Sequence, residues 1–288
     1  MKYLYYPGCS LEGSSREYDI STRLFAKMLD ISLEEIDDWT CCGATAAESH
    51  SSLLSYVLPA RTLALAEKME GSDQIMVPCS ACYLNLKKTC EKIRTDRQVL
   101  EKINIALAQD NLELKSNIEV RHFLDIVSRD IDIEKIKGKI ANPMTGLKIA
   151  PYYGCQCLRP FVVFDDPEQP RTMEPLIEAC RAQVFEWDMA AQCCGASNTS
   201  TKPEAGQALV TKILKAAKGA DAILTVCPMC QMNLESAQKK ISRDQGMDLE
   251  IPVLFLPQFL CLAMGSTARE AGLELNLSNT EELIKNIA

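Results

Sequence analysis

Histidine is nearly absent from this chain: there are two in 288 residues, His50 and His122. Neither falls in a ligand position relative to the recurring cysteine motif, so a mixed Cys/His zinc site has no nitrogen donors to use. Positive charge is also short, with 31 Lys+Arg against 39 Asp+Glu and a net charge of −8. That balance argues against a broad basic surface for nucleic acid, and any anionic ligand must be met by a few local cations. No apolar run can span a bilayer, because the most apolar stretch, residues 251–265, is short and broken by Pro252 and Pro257. The opening residues lack the apolar region and small-residue cleavage site of a signal peptide. The expected location is therefore the cytoplasm, where thiols stay reduced and ordered cysteine spacings point to metal rather than disulfides. Low-complexity tracts are missing too, and the length suits two domains, each with its own core.

Cysteine is what the chain has in quantity. Ten of the 14 fall into two matched sets of five. Each set has a Gly-Cys step (Gly8-Cys9; Gly154-Cys155), then Cys-Cys-Gly (Cys41-Cys42-Gly43; Cys193-Cys194-Gly195), then C-x-x-C (Cys79 and Cys82; Cys227 and Cys230). Offsets between the sets are 146, 152 and 148 residues for the three groups, and Asn85-Leu86 matches Asn233-Leu234 at 148.

The flanking pattern repeats as well. In the first half, short β-prone stretches at 2–6, 33–36, 74–77 and 118–120 alternate with helical ones. Ser14-x-x-Glu17 reads as a capping box for the first long helix. A helix is expected over 60–69, and a long, interrupted one follows Cys82. The second half repeats this with strands at 147–153, 183–187, 222–226 and 251–256. Its helices are expected at 173–181, from Pro203 to about 218, and at 257–264. Alternation of this kind implies parallel β-α-β units. The fold class expected is α/β, two duplicated Rossmann-like parallel-sheet domains related by a pseudo-two-fold. Their expected bounds are 1–140 and 141–288, with the junction inside 131–146. Every cysteine group follows a predicted strand, so all five sulfurs of a half can meet on one rim.

Thiolates suit zinc, Cu(I) and iron–sulfur clusters. A structural zinc takes four ligands, often as two C-x-x-C pairs. Here each half offers five, including an adjacent pair whose side chains diverge and can reach two atoms of a polynuclear centre. Five thiolates in this order favour an iron–sulfur cluster. Of the other cysteines, Cys90, Cys180 and Cys261 have no twin and read as small buried hydrophobes. Cys157 competes with Cys155, and alignment with Gly8-Cys9 favours Cys155 as the ligand.

These motifs resemble those of the cysteine-rich (CCG) domain family, in the two-copy form found in the B subunit of heterodisulfide reductase. The family pattern is C-x(31–39)-CC-x(35–36)-C-x-x-C. The first copy fits it with 31 and 36 intervening residues; the second has 37 and then only 32, which implies a trimmed loop. Tyr153-Gly154-Cys155 and Leu158-Arg159-Pro160 also look like the family's second-copy start. The resemblance implies that Cys9, Cys41, Cys42, Cys79 and Cys82 bind one non-cubane [4Fe–4S] cluster. It implies a second on Cys155, Cys193, Cys194, Cys227 and Cys230, the two facing across a substrate site. The implied reaction is reduction of the coenzyme M–coenzyme B mixed disulfide, as in methanogenesis. The implied partners are the C and A subunits of an electron-bifurcating heterodisulfide reductase complex, fed by a hydrogenase or formate dehydrogenase. Duplicated centres make sense because S–S cleavage needs two electrons while a cluster normally passes one.

Such a substrate is anionic. Arg159 and Arg16 are the nearest basic residues downstream of Cys155 and Cys9, although helix capping or ion pairing is an equally ordinary role for each. His50 could supply a proton, and a solvated or packed histidine is the plainer reading. Two other readings stay open: an electron-transfer subunit of a glycolate-, lactate- or sulfur-metabolising complex handing electrons to a quinone or another partner, and a zinc-stapled scaffold.

Overall fold

The computed structural model describes residues 1–44, 46–115 and 117–287. Its strands are β1 (Lys2–Tyr5), β2 (Ser32–Glu35), β3 (Gln74–Val77) and β4 (Glu119–His122), then β5 (Lys148–Tyr152), β6 (Gln183–Val184), β7 (Ala222–Thr225) and β8 (Val253–Phe255). They form two four-stranded sheets of order β2-β1-β3-β4 and β6-β5-β7-β8. Every pairing is parallel. Helices cover these sheets, so the central strands are buried and read as continuous apolar runs. The duplicated α/β architecture matches the expected fold class.

The helices of the first half are α1 (Cys9–Glu12), α2 (Arg16–Met28), α3 (Ala47–His50), α4 (Leu54–Ala66), α5 (Ser80–Thr95), α6 (Arg97–Leu107), α7 (Phe123–Arg129) and α8 (Ile133–Lys137). The second half has α9 (Glu174–Ala179), α10 (Pro203–Ala216), α11 (Pro228–Ser236), α12 (Gln238–Gln245), α13 (Leu256–Ala263) and α14 (Glu281–Ile287). The interruption expected after Cys82 falls at Asp96, which ends α5 and caps α6 by accepting the Val99 N–H at 3.2 Å.

Local expectations fail in three places. The capping box does not form: Ser15 precedes α2 without a side-chain cap, and Glu17 is turned into the interior. Helix α4 begins earlier than 60, helped by Ser51, whose hydroxyl accepts the Leu54 N–H at 3.3 Å. The strand expected over 183–187 is only two residues long, although Phe185 still donates to the Ile149 carbonyl at 2.8 Å. The trimmed spacing in the second copy is visible: segment 43–53 with α3 is answered by the shorter 195–202, a single 3-10 turn at Ala196–Asn198.

The halves meet through a shared core. Helix α2 packs along α13, and Tyr18 stacks on Phe255 with centroids 3.9 Å apart and planes 8° apart. The Tyr18 hydroxyl donates to Pro78 of its own half at 3.0 Å and to Val226 of the other at 3.2 Å.

Candidate metal centre

All three cysteine groups of each half leave the carboxyl rim of a parallel sheet, and backbone geometry aims them. Gly8 and Gly154 lie at φ +74° and +71°, the left-handed region open to glycine. A Cβ on Gly8 would sit 2.8 Å from Cys82 Sγ, and one on Gly154 would sit 3.0 Å from Cys230 Sγ. The bare Cα therefore lets the last sulfur of each set press against the peptide that carries the first. Cys79 and Cys227 occupy the position just before α5 and α11, where each helix start faces the cavity's sulfurs.

Within the sets the sulfurs close up in pairs. Cys9 and Cys41 are 3.6 Å apart, Cys42 and Cys82 3.4 Å, and Cys194 and Cys230 3.6 Å. Crowding sets the thiols against one another. Cys41, accepting from Cys42 and Cys9, is held far below the usual thiol range, while Cys9 is driven up. In the second half Cys155 pushes Cys193 down to about 6, Cys230 pushes Cys227 down to about 7, and Cys155 and Cys230 rise. Three sulfurs are thus lowered, Cys41, Cys193 and Cys227, each against a neighbouring sulfur that is raised. Among the described residues no three His, Cys, Asp or Glu side chains are arranged to hold a single metal ion.

All ten cysteines line one cavity of about 260 Å³ between the halves. Cys9, Cys41 and Cys193 are exposed, Cys155 is half-buried, and the other six are buried. The rest of the lining is Ser10, Ala44, Ser80, Ala81, Tyr153, Gln156, Ala196, Ser197 and Met229. Among the described residues, the lining other than the cysteines includes no charged side chain.

Paired supports surround the sulfurs. Tyr6 and Tyr152 each donate a 2.7 Å bond to the carbonyl preceding the Cys-Cys pair, at Thr40 and Gln192. Burial, then the neighbouring sulfurs, pushes both phenols upward, so they remain neutral donors. Asn85 and Asn233 donate to the carbonyls of Cys42 and Cys194 at 3.0 and 2.7 Å. The matched Asn-Leu steps signalled the asparagines, and Tyr-x-x-Cys at both copies could have signalled the tyrosines.

Of the two arginines weighed for an anionic substrate, Arg159 stands near the exposed Cys193 and helps lower its thiol. Arg159 donates to the carbonyls of Ala191 and Pro167 and pairs with Glu168. Arg16 borders a separate hollow with Glu12 and Arg23. His50 ends α3 on the surface. Cys157 is buried, donates to the Tyr153 carbonyl at 3.3 Å and does not line the cavity. Cys90, Cys180 and Cys261 are buried, and burial pushes each thiol up.

Two matched α/β halves presenting ten thiols to one cavity define a duplicated polythiolate protein. The chain belongs to the cysteine-rich domain (CCG) family, which matches residues 3–87 and again 149–235. It is 32% identical over 98% of its length, and 99% of the relative's, to the 8-methylmenaquinol:fumarate reductase membrane anchor subunit of Wolinella succinogenes. A protein of Archaeoglobus profundus, named for its likeness to the B subunit of heterodisulfide reductase, is 29% identical, covering 100% of this chain and 98% of that one. The B subunit of a ferredoxin/F420H2-dependent CoB–CoM heterodisulfide reductase from Methanosarcina acetivorans is also 29% identical, over 96% and 94%. A crystal structure of a hypothetical protein from Helicobacter pylori shares the fold, with a TM-score of 0.78 at 15% identity, over 96% of this chain and 52% of that longer one. Among the described residues no helix is long and apolar enough to cross a membrane.

Proposed function

We propose that each five-cysteine set holds a non-cubane [4Fe–4S] cluster and that the chain is the disulfide-cleaving subunit of a heterodisulfide reductase. The observation that carries this reading is the single cavity walled by both sets. Donors that approach pairwise around a wall, rather than converging on one point, suit a centre of several atoms. Bound there, such clusters would supply one electron each. The reaction is RS–SR′ + 2 e⁻ + 2 H⁺ → RSH + R′SH, with the mixed disulfide of coenzymes M and B as the substrate proposed. The chain's own residues confine it. Met229, Ala81 and Ala196 flank the S–S bond with apolar surface, and the hydroxyls of Ser10, Ser80 and Ser197 offer neutral hydrogen bonds. With no cation in the lining among the described residues, the substrate's charged ends belong at the mouth, beyond the exposed Cys9, Cys41 and Cys193, where Arg159 stands near Cys193. Further cations would come from partner subunits, proposed to be the C and A subunits with a hydrogenase or formate dehydrogenase behind them.

A second reading is favoured by the same uncharged lining and by the relative named for 8-methylmenaquinol:fumarate reductase. In it the chain relays electrons from an uncharged quinol. Anaerobic protein should contain about eight irons with matching acid-labile sulfide, and its reduced form should release two thiols per heterodisulfide. Zinc without iron, or one cluster per chain, would overturn the two-cluster reading. Full iron with menaquinol oxidation and no thiol release would select the relay.

A further inference from the structure

The cavity arises from a duplication, yet its two walls are unequal. Ser10 follows Cys9 in the first half, and Gln156 follows Cys155 in the second. Ala81 lies inside the first C-x-x-C at the place that Met229 takes in the second. All four line the cavity, as do the matching twins Ala44 and Ala196. At both unlike places the first half offers a short side chain and the second a long one.

The backbone enlarges the difference. In the first half α1 begins at Cys9 and α2 follows at Arg16, whereas Cys155 opens a loop that runs on to α9 at Glu174. Arg159 pins that loop against the segment leading to Cys193, donating to the Ala191 carbonyl at 2.6 Å. The sulfurs register the added cover: Cys9 is exposed, and its twin Cys155 is half-buried. Segment 43–53, longer than its counterpart 195–202, does not restore the balance. Among the described residues it brings only Ala44 to the lining.

We propose that Gln156 and Met229 are specificity-determining residues that narrow the second half's side of the cavity, so that an unsymmetrical disulfide enters in one orientation. Its short branch lies against the second half and its long branch against Ser10 and Ala81 of the first. The inference rests on the reading that the chain cleaves a disulfide. In the mixed disulfide proposed above, coenzyme M is the shorter branch and belongs to the second half. The reason is steric and one-sided. A short branch is tolerated by either wall, while a long one pressed against Gln156 and Met229 must displace them. Rejection of the wrong fit is what makes such a pocket selective.

The test is equilibrium binding by calorimetry to the full, iron-loaded chain, with iron counted in each sample. Three disulfides are compared: the coenzyme M homodisulfide, the coenzyme B homodisulfide and the mixed one. The wild-type chain should bind the coenzyme B homodisulfide at least about tenfold more weakly than the mixed disulfide, the scale of a methylene's misfit in a closed pocket. Gln156→Ser with Met229→Ala, which copies the first half, should erase most of that gap. If the double variant loses iron, Met229→Ala alone decides by narrowing the gap part-way. Ser10→Gln, which copies the second half, should weaken the mixed disulfide by a similar factor and leave the coenzyme M homodisulfide ahead of it. Equal binding of the long and mixed disulfides by the wild type, or a gap unmoved in the shortened variants at full iron, would refute the inference. Full-iron chain that binds none of the three would overturn the disulfide-cleaving reading, and this inference with it.

Discussion

Single residues settle how closely the sulfurs approach. Gly8 and Gly154 hold a left-handed backbone in which an added methyl meets the last cysteine of its own set. Gly8→Ala should lose about 1–3 kcal/mol from backbone strain, since Gly8 sits at φ +74° and ψ 165°, and the displaced Cys82 should release the first-half centre. Iron per chain should fall by half, with the second half's spectral signal intact; a full complement would show that the close approach is dispensable. The cysteines and these glycines were legible because their chemistry is local and their spacing repeats. Tyr6, Tyr152, Asn85 and Asn233 were not assigned, since a phenol or amide is ordinary until its acceptor is known. The ordinary role weighed for Arg159 is visible in its three partners around its own loop, which the spacing alone could not show.

At the scale of elements, period and punctuation located the strands well, because parallel strands buried on both faces are short apolar runs ended by Gly, Pro or Cys. Their neighbours were harder to place. Capping at Ser14 fails because Glu17 is drawn toward the other half rather than to the helix start. Nor could the contact between α2 and α13 be read along the chain, since Tyr18 and Phe255 lie far apart in sequence. Tyr18→Ala removes a stacked ring and two hydroxyl bonds at that boundary. The loss should be about 3–5 kcal/mol, as for other buried aromatics cut to alanine, measured by urea denaturation. A loss below about 1 kcal/mol would mean that the halves do not depend on this contact.

For the molecule as a whole, the two halves are stitched by groups that respond to pH. Glu17 is 3% exposed, and burial, reinforced by Glu235 on α11, lifts its carboxyl to about 7 from an ordinary 4.5, against hydrogen bonds from its backbone and Gln231. A carboxyl raised on folding adds stability that is fully present below pH 4.5 and lost as pH climbs through 7. Thermal stability should therefore decline between pH 5 and 8. Glu17→Gln should flatten part of that decline and exceed the parent at pH 8, with Glu235, also raised, supplying the remaining slope. An unchanged profile would remove Glu17 from the seam. Duplication itself was plain from the ordered cysteines, whereas the facing of Glu17 and Glu235 was not, because a contact between halves leaves no mark along the chain.

Among the described residues the wall between the halves carries no cationic side chain. Under the proposed function, electroneutrality in so small and poorly polarisable a space would tie each arriving electron to a proton that follows it. The chamber would then deal in hydrogen equivalents, with the acidity of the medium as one of its reactants.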